Sequence, residues 1–97
     1  MDYDQLSRFC SQIRKMKSAI GFKSHKTCHM KYISHRNGLS FYNADPELDE
    51  LVELGLMERS CHFDEYAQRE RTNYHVTAKG FDLLSEITEI KITEDKK

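Results

Sequence analysis

His25, Cys28, His29 and His35, with Cys61 and His62 farther along the chain, are residue types that hold zinc, and a His-x-x-Cys step sets two ligands on one turn. A structural zinc site needs two compact pairs. Here one pair has the spacing, while Cys61 and His62 are adjacent and on a strand would point to opposite faces. No metal is expected, and these side chains read as core Cys and surface His. Cys28 with His25, or Cys61 with His75, can be drawn as nucleophile and base, but three Cys and five His give such pairs by chance. The chain has no Gly-rich phosphate loop and no Gly-x-Ser-x-Gly turn, and its 97 residues leave little room for an enclosed pocket. It is expected to be no enzyme and to need no cofactor.

Charge carries more information. Residues 1–44 hold eight basic and two acidic side chains, and residues 45–97 hold seven basic and fourteen acidic ones, so a net charge of -1 hides two halves of opposite sign. The basic half offers Arg14, Lys15, Lys17, Lys23, Lys26, Lys31 and Arg36, interleaved with Phe22 and Tyr32, a composition suited to a phosphate backbone with rings for stacking. The acidic half offers Asp45, Glu47, Asp49, Glu50, Glu53, Glu58, Asp64, Glu65 and Glu70. One reading is a solvated face favoured by a helix dipole. The other is a surface that imitates the phosphates of DNA and docks on a basic groove of a nucleic-acid-binding protein. A hard-cation site is discounted, because such loops need Gly and closely spaced oxygen ligands off a helix.

The elements that must position these residues follow from periodicity and caps. Leu6, Phe9, Cys10, Ile13, Met16 and Ile20 recur at steps of three and four, predicting a first helix over 3–20 whose outer face carries Arg8, Ser11, Gln12, Lys15 and Ser18. Gly21 ends it. Residues 22–37 have no sustained period and read as a long basic loop with one extended piece, and residues 38–43 alternate as a short strand. Asp45 before Pro46 is a helix start, with Leu48, Leu51 and Val52 as the buried stripe and Gly55 as the end. Residues 56–62 and 72–77 read as two strands of a long-tipped hairpin joined by the polar stretch 63–71. Thr77 caps a last helix over 78–90 with Phe81, Leu84, Ile87 and Ile90 inward. The expected architecture is one α+β domain over 1–92 in the order α-β-α-β-β-α, with three helices, a small antiparallel sheet and a frayed tail at 93–97.

The run Leu48 to Arg59 with its Leu54-Gly55-Leu56 turn, the polar hairpin, and Thr77-Ala78-Lys79-Gly80 resemble the second half of a winged-helix domain. In that family a hairpin wing follows the turn and a Thr-x-x-Gly segment opens the last helix. The chain also resembles small proteins of phages and prophages, through Ile20-Gly21, Arg36-Asn37 to Tyr42, Asp45-Pro46-Glu47-Leu48 and Val76 to Gly80. That likeness implies a phage origin and a place in the bacterial host cytosol. For an acidic binding protein it implies a host target such as a CRISPR effector, as for the anti-CRISPR proteins that act as DNA mimics.

The winged-helix likeness meets one obstacle. The helix before the Leu-Gly-Leu turn should enter the major groove, yet it presents Asp49, Glu50 and Glu53 outward with Glu47 on the flank. The leading expectation is therefore a non-enzymatic inhibitor that covers the DNA-binding surface of a host protein with its acidic face. The alternative is a winged-helix transcriptional regulator that binds DNA through its basic N-terminal helix and loop. No run is apolar enough to span a membrane, the three Cys argue against a disulfide framework, and the first and last helices offer a surface for a homodimer.

Overall fold

A computed structural model describes residues 2–23 and 30–94. Helix α1 (Tyr3–Ala19) starts at a capping box, in which the Asp2 carboxylate accepts from the Gln5 amide and the Gln5 side chain accepts from the Asp2 amide. It ends in a Schellman motif: Gly21 takes φ 69°, and the amides of Gly21 and Phe22 donate to the carbonyls of Ser18 and Lys17. Helix α2 (Pro46–Glu53) starts at Asp45, whose carboxylate accepts from the Glu47 and Leu48 amides, and closes the same way at Gly55.

The strands form two sheets. Strands β2 (Leu39–Phe41), β3 (Met57–Asp64) and β4 (Arg69–Val76) form an antiparallel sheet in the order β2-β4-β3. Strands β1 (Lys31–Ser34) and β5 (Lys91–Glu94) form a separate parallel pair. Helix α3 (Ala78–Thr88) connects β4 to β5. The core gathers Ile13, Met16 and Ile20 from α1, Leu48 and Leu51 from α2, Met57, Tyr74 and Val76 from the sheet, Phe81 and Leu84 from α3, and Tyr32 and Ile92 from the parallel pair.

The α+β class, three helices and small antiparallel sheet match the expectation, and four details of it do not. The element order is α-β-β-α-β-β-α-β, because β1 emerges from the expected loop and β5 occupies Thr93 and Glu94 of the expected frayed tail. Both added strands are ordered by each other, through pairing of segments almost sixty residues apart. The hairpin strands run on to Asp64 and back from Arg69, so the polar stretch is mostly paired ladder with a short turn. A strand with both faces in solvent needs no apolar alternation. Finally, Leu6, Cys10 and Ile87 are exposed, while Gln12, expected on the outer face of α1, is buried. No helix among the described residues is long and apolar enough to cross a membrane.

Candidate nucleic-acid interface

The rotation of α1 decides where the charges go. Arg8, Ser11, Gln12 and Lys15 recur at helical spacing and form a polar seam against α2. Arg8 binds Glu50 at 3.0 Å, and Gln12 donates to the Glu50 carboxylate at 3.2 Å and to the Glu47 carbonyl at 3.0 Å. Ser11 donates to Glu47 at 2.7 Å, and Lys15 lies 2.8 Å from both Asp45 and Glu47. The hydrogen bonds from Lys15 and Ser11 pull the Glu47 carboxyl below its usual range, and those from Gln12 and Arg8 do the same for Glu50. Burial alone would raise the Asp45 carboxyl, but Lys15 and the Leu48 and Glu47 amides outweigh it, so the net direction is down.

On the other flank of α2, Asp49 accepts from Arg59 at 3.0 Å and from the hydroxyl of the fully buried Tyr74 at 2.8 Å. Basic residues from α1 and β3 thus accompany the acidic helix, and of its exposed carboxylates Glu53 is left without an ion pair or hydrogen bond among the described residues.

The remaining acidic candidates do not share a face. In the hairpin register Glu58 lies opposite His75 and Asp64 opposite Arg69, on the sheet face turned away from Tyr74 and the core, whereas Glu70 pairs with Phe63 on the other face. Glu65 sits in the turn. Asp64 accepts from the Ala67 and Tyr66 amides and pairs with Arg71 at 3.1 Å, contacts that lower its carboxyl. The Arg69 and Arg71 guanidinium groups lie 4.5 and 4.7 Å from the centre of the Tyr42 ring.

The basic candidates divide in the same way. Lys15 is committed to α2, and Arg36 donates to the Ser18 and Ala19 carbonyls at the C-terminal end of α1. Tyr32 and Ser34 join it there by donating to the Ile20 carbonyl, so the Tyr-Ile-Ser-His-Arg run closes a helix end. Arg14 and Lys23 have no ion pair or hydrogen bond among the described residues, and the Lys17 ammonium stands 5.8 Å over the Phe22 ring. Phe22 meets Tyr32 edge to face at 5.2 Å. Beyond Tyr32 opens a cleft of about 440 Å³ lined by Gly21, Lys23, Tyr32, Ile33, His35 and Arg36. Lys31, one strand position before Tyr32, is exposed and in register with Lys91. Lys26 lies outside the described residues.

Of the zinc candidates, His25, Cys28 and His29 also lie outside the described residues. Cys61 and His62 do face opposite sides of β3, but Cys61 is exposed rather than in the core: it sits by Thr72 at 3.9 Å on a strand open to solvent, and His62 shares a 2.8 Å hydrogen bond with Asn73. Among the described residues no three His, Cys, Asp or Glu side chains are grouped to hold an ion. The sequence reading missed Gln12, Arg59 and Tyr74 as partners of the acidic helix, and Lys91 as the neighbour of Lys31. For Tyr74 a signal existed, since a Tyr at a core-facing strand position needs a hydroxyl partner. Compared with protein-family models, curated proteins and solved structures, the chain matches none of them.

Proposed function

We propose that this protein is a non-enzymatic nucleic-acid-binding protein that holds a phosphate backbone along the flank formed by the C-terminal half of α1 and strand β1. The observation that carries this reading is the division of cations on α1. Arg8 and Lys15 are consumed by α2, while Arg14, Lys17 and Lys23 make no ion pair or hydrogen bond among the described residues, Lys17 standing over the Phe22 ring and Lys23 lining the open cleft. Uncommitted cations beside the half-buried Phe22 ring suit a polyanion with bases.

A winged-helix-like regulator is the form this reading takes. The sheet order β2-β4-β3 with a projecting β3-β4 hairpin supports it, although a single helix, α2, lies between β2 and β3. Since α2 is acidic and tied to α1, the contact with DNA would come from α1 and β1. The other expectation, an acidic face docking on a host protein such as a CRISPR effector, has less support. Asp45, Glu47, Asp49 and Glu50 already satisfy partners within the chain, and Glu58 and Glu70 point to opposite sides of the sheet.

The test is binding of the purified protein to labelled single- and double-stranded DNA at low and moderate salt, alongside the variant Arg14→Ala, Lys17→Ala, Lys23→Ala. Salt-sensitive binding by the native chain and a salt slope smaller by about three in the variant are expected. Absence of binding at low salt overturns the reading and returns attention to the acidic surface.

A further inference from the structure

The parallel pair brings together two lysines that the sequence keeps sixty residues apart. Lys31 and Lys91 are partners on one rung, followed by Tyr32 with Ile92, Ile33 with Thr93 and Ser34 with Glu94. Tyr32 and Ile92 are buried, so by alternation Lys31, Ile33, Lys91 and Thr93 face outward together. Backbones on such a rung stand about 4.8 Å apart, and like charges directly opposite each other work against strand pairing. Nothing on the rung offsets them. Neither lysine has an ion pair or hydrogen bond from its side chain among the described residues, and the acidic Glu94 sits three rungs away.

The backbone adds a second cost at the same place. Met30, just before the rung, takes φ 61°, a left-handed conformation unfavourable for a side chain of this kind, while its carbonyl accepts from the Lys91 amide at 3.0 Å. A two-stranded sheet has few contacts with which to absorb such terms. Ile33, the next outward residue of β1, also lines the cleft that holds Lys23, so the rung is next along the strand to the cleft.

We propose that the Lys31–Lys91 rung is a phosphate clamp for a nucleic-acid backbone, and that binding there tightens the docking of β5 on β1. This rests on the nucleic-acid reading and adds to it a site and a coupling. The phosphate supplies the negative charge that the rung lacks, so binding offsets a repulsion that the free protein carries between β1 and β5.

Two variants test it against opposite outcomes. Lys91→Glu puts opposite charges across the rung, so the free protein should melt at the same temperature or higher while its affinity for a labelled polythymidine strand falls about ten-fold at low salt. Lys31→Gln with Lys91→Gln should reduce the salt slope by about two. In the native chain, the strand should slow hydrogen exchange at the β5 amides. Unchanged affinity and salt slope in both variants, with binding still lost on neutralising Arg14, Lys17 and Lys23, overturns the clamp and leaves the function standing. A native chain that does not bind overturns both. Equal protection of β5 by inorganic phosphate at matched ionic strength would make the rung a small-anion site and overturn its assignment to nucleic acid.

Discussion

The Lys15 ammonium meets the Asp45 carboxylate at 2.8 Å, joining the C-terminal part of α1 to the residue that caps α2. The same ammonium reaches Glu47 at 2.8 Å, and its own pKa is raised by the two hydrogen bonds, Asp45 first. The Asp45 and Glu47 carboxyls titrate below their ordinary range, so their contribution is complete above about pH 5 and is lost as the pH falls through the lowered values. Lys15 acts in the opposite direction: its contribution holds below about pH 10.4 and is lost as the pH rises through its raised value. Lys15→Met should cost about 1 kcal/mol at neutral pH and progressively less toward pH 3, read from urea midpoints at several pH values. A difference that does not change with pH would mean that Lys15 acts through packing alone.

Tyr74 is the buried pivot between the acidic helix and the sheet. Its hydroxyl donates to Asp49 at 2.8 Å and accepts from the Asp45 amide at 3.0 Å, and burial, the largest influence, keeps the phenol protonated. Tyr74→Phe keeps the ring and removes both bonds, which leaves the Asp45 amide without that acceptor at the start of α2. A loss of about 1–3 kcal/mol is expected, with the folded state retained. Far-ultraviolet dichroism and denaturation curves would check it, and an unchanged midpoint would show that water replaces the hydroxyl.

Gly80 explains the Thr-x-x-Gly segment physically. Thr77 accepts from the Gly80 amide as the cap of α3, and a Cβ at Gly80 would stand 2.3 Å from the Leu56 carbonyl oxygen and 2.7 Å from a Val76 methyl. The Leu56 carbonyl is itself held by the Thr77 amide at 3.1 Å, so it cannot retreat without breaking that bond at the end of the hairpin ladder. Gly80→Ala, favourable by helix propensity alone, should instead destabilise by about 2–3 kcal/mol. A gain in melting temperature would refute this packing.

What could be read from the sequence was local. Asp45-Pro46, Thr77 and the Gly55 turn are signals carried by adjacent residues, and each stands where it was expected. The inward stripe of α1 was legible at Phe9, Ile13, Met16 and Ile20 but not at Leu6 and Cys10, which are exposed, because its apolar positions cover more than one face. Gln12 reads as surface until a partner helix offers a carbonyl and a carboxylate to its amide. Of β1 the sequence showed only an extended piece within a loop, β5 is too short and polar to announce itself, and their pairing is a long-range event. The candidate site was half legible for the same reason: the cations could be counted, but which of them the acidic helix would neutralise depends on tertiary packing.

That division yields a test on α2 itself, because its three outermost carboxylates should not behave alike. Glu53 makes no ion pair or hydrogen bond among the described residues, whereas Glu50 binds Arg8 and Gln12, and Asp49 binds Arg59 and Tyr74. Glu53→Lys should leave the unfolding midpoint within about 0.5 kcal/mol of the native chain. Asp49→Lys places an ammonium against Arg59 and removes the acceptor of a buried hydroxyl, so a loss of about 2 kcal/mol is expected. Glu50→Lys should fall between them and be the most sensitive to salt, since the repulsion it introduces with Arg8 is solvent-exposed and screened. Equal and negligible effects at all three positions would mean that neither the α1 contacts of Glu50 nor the sheet contacts of Asp49 hold in solution, and would return the acidic helix to the role of a free docking face.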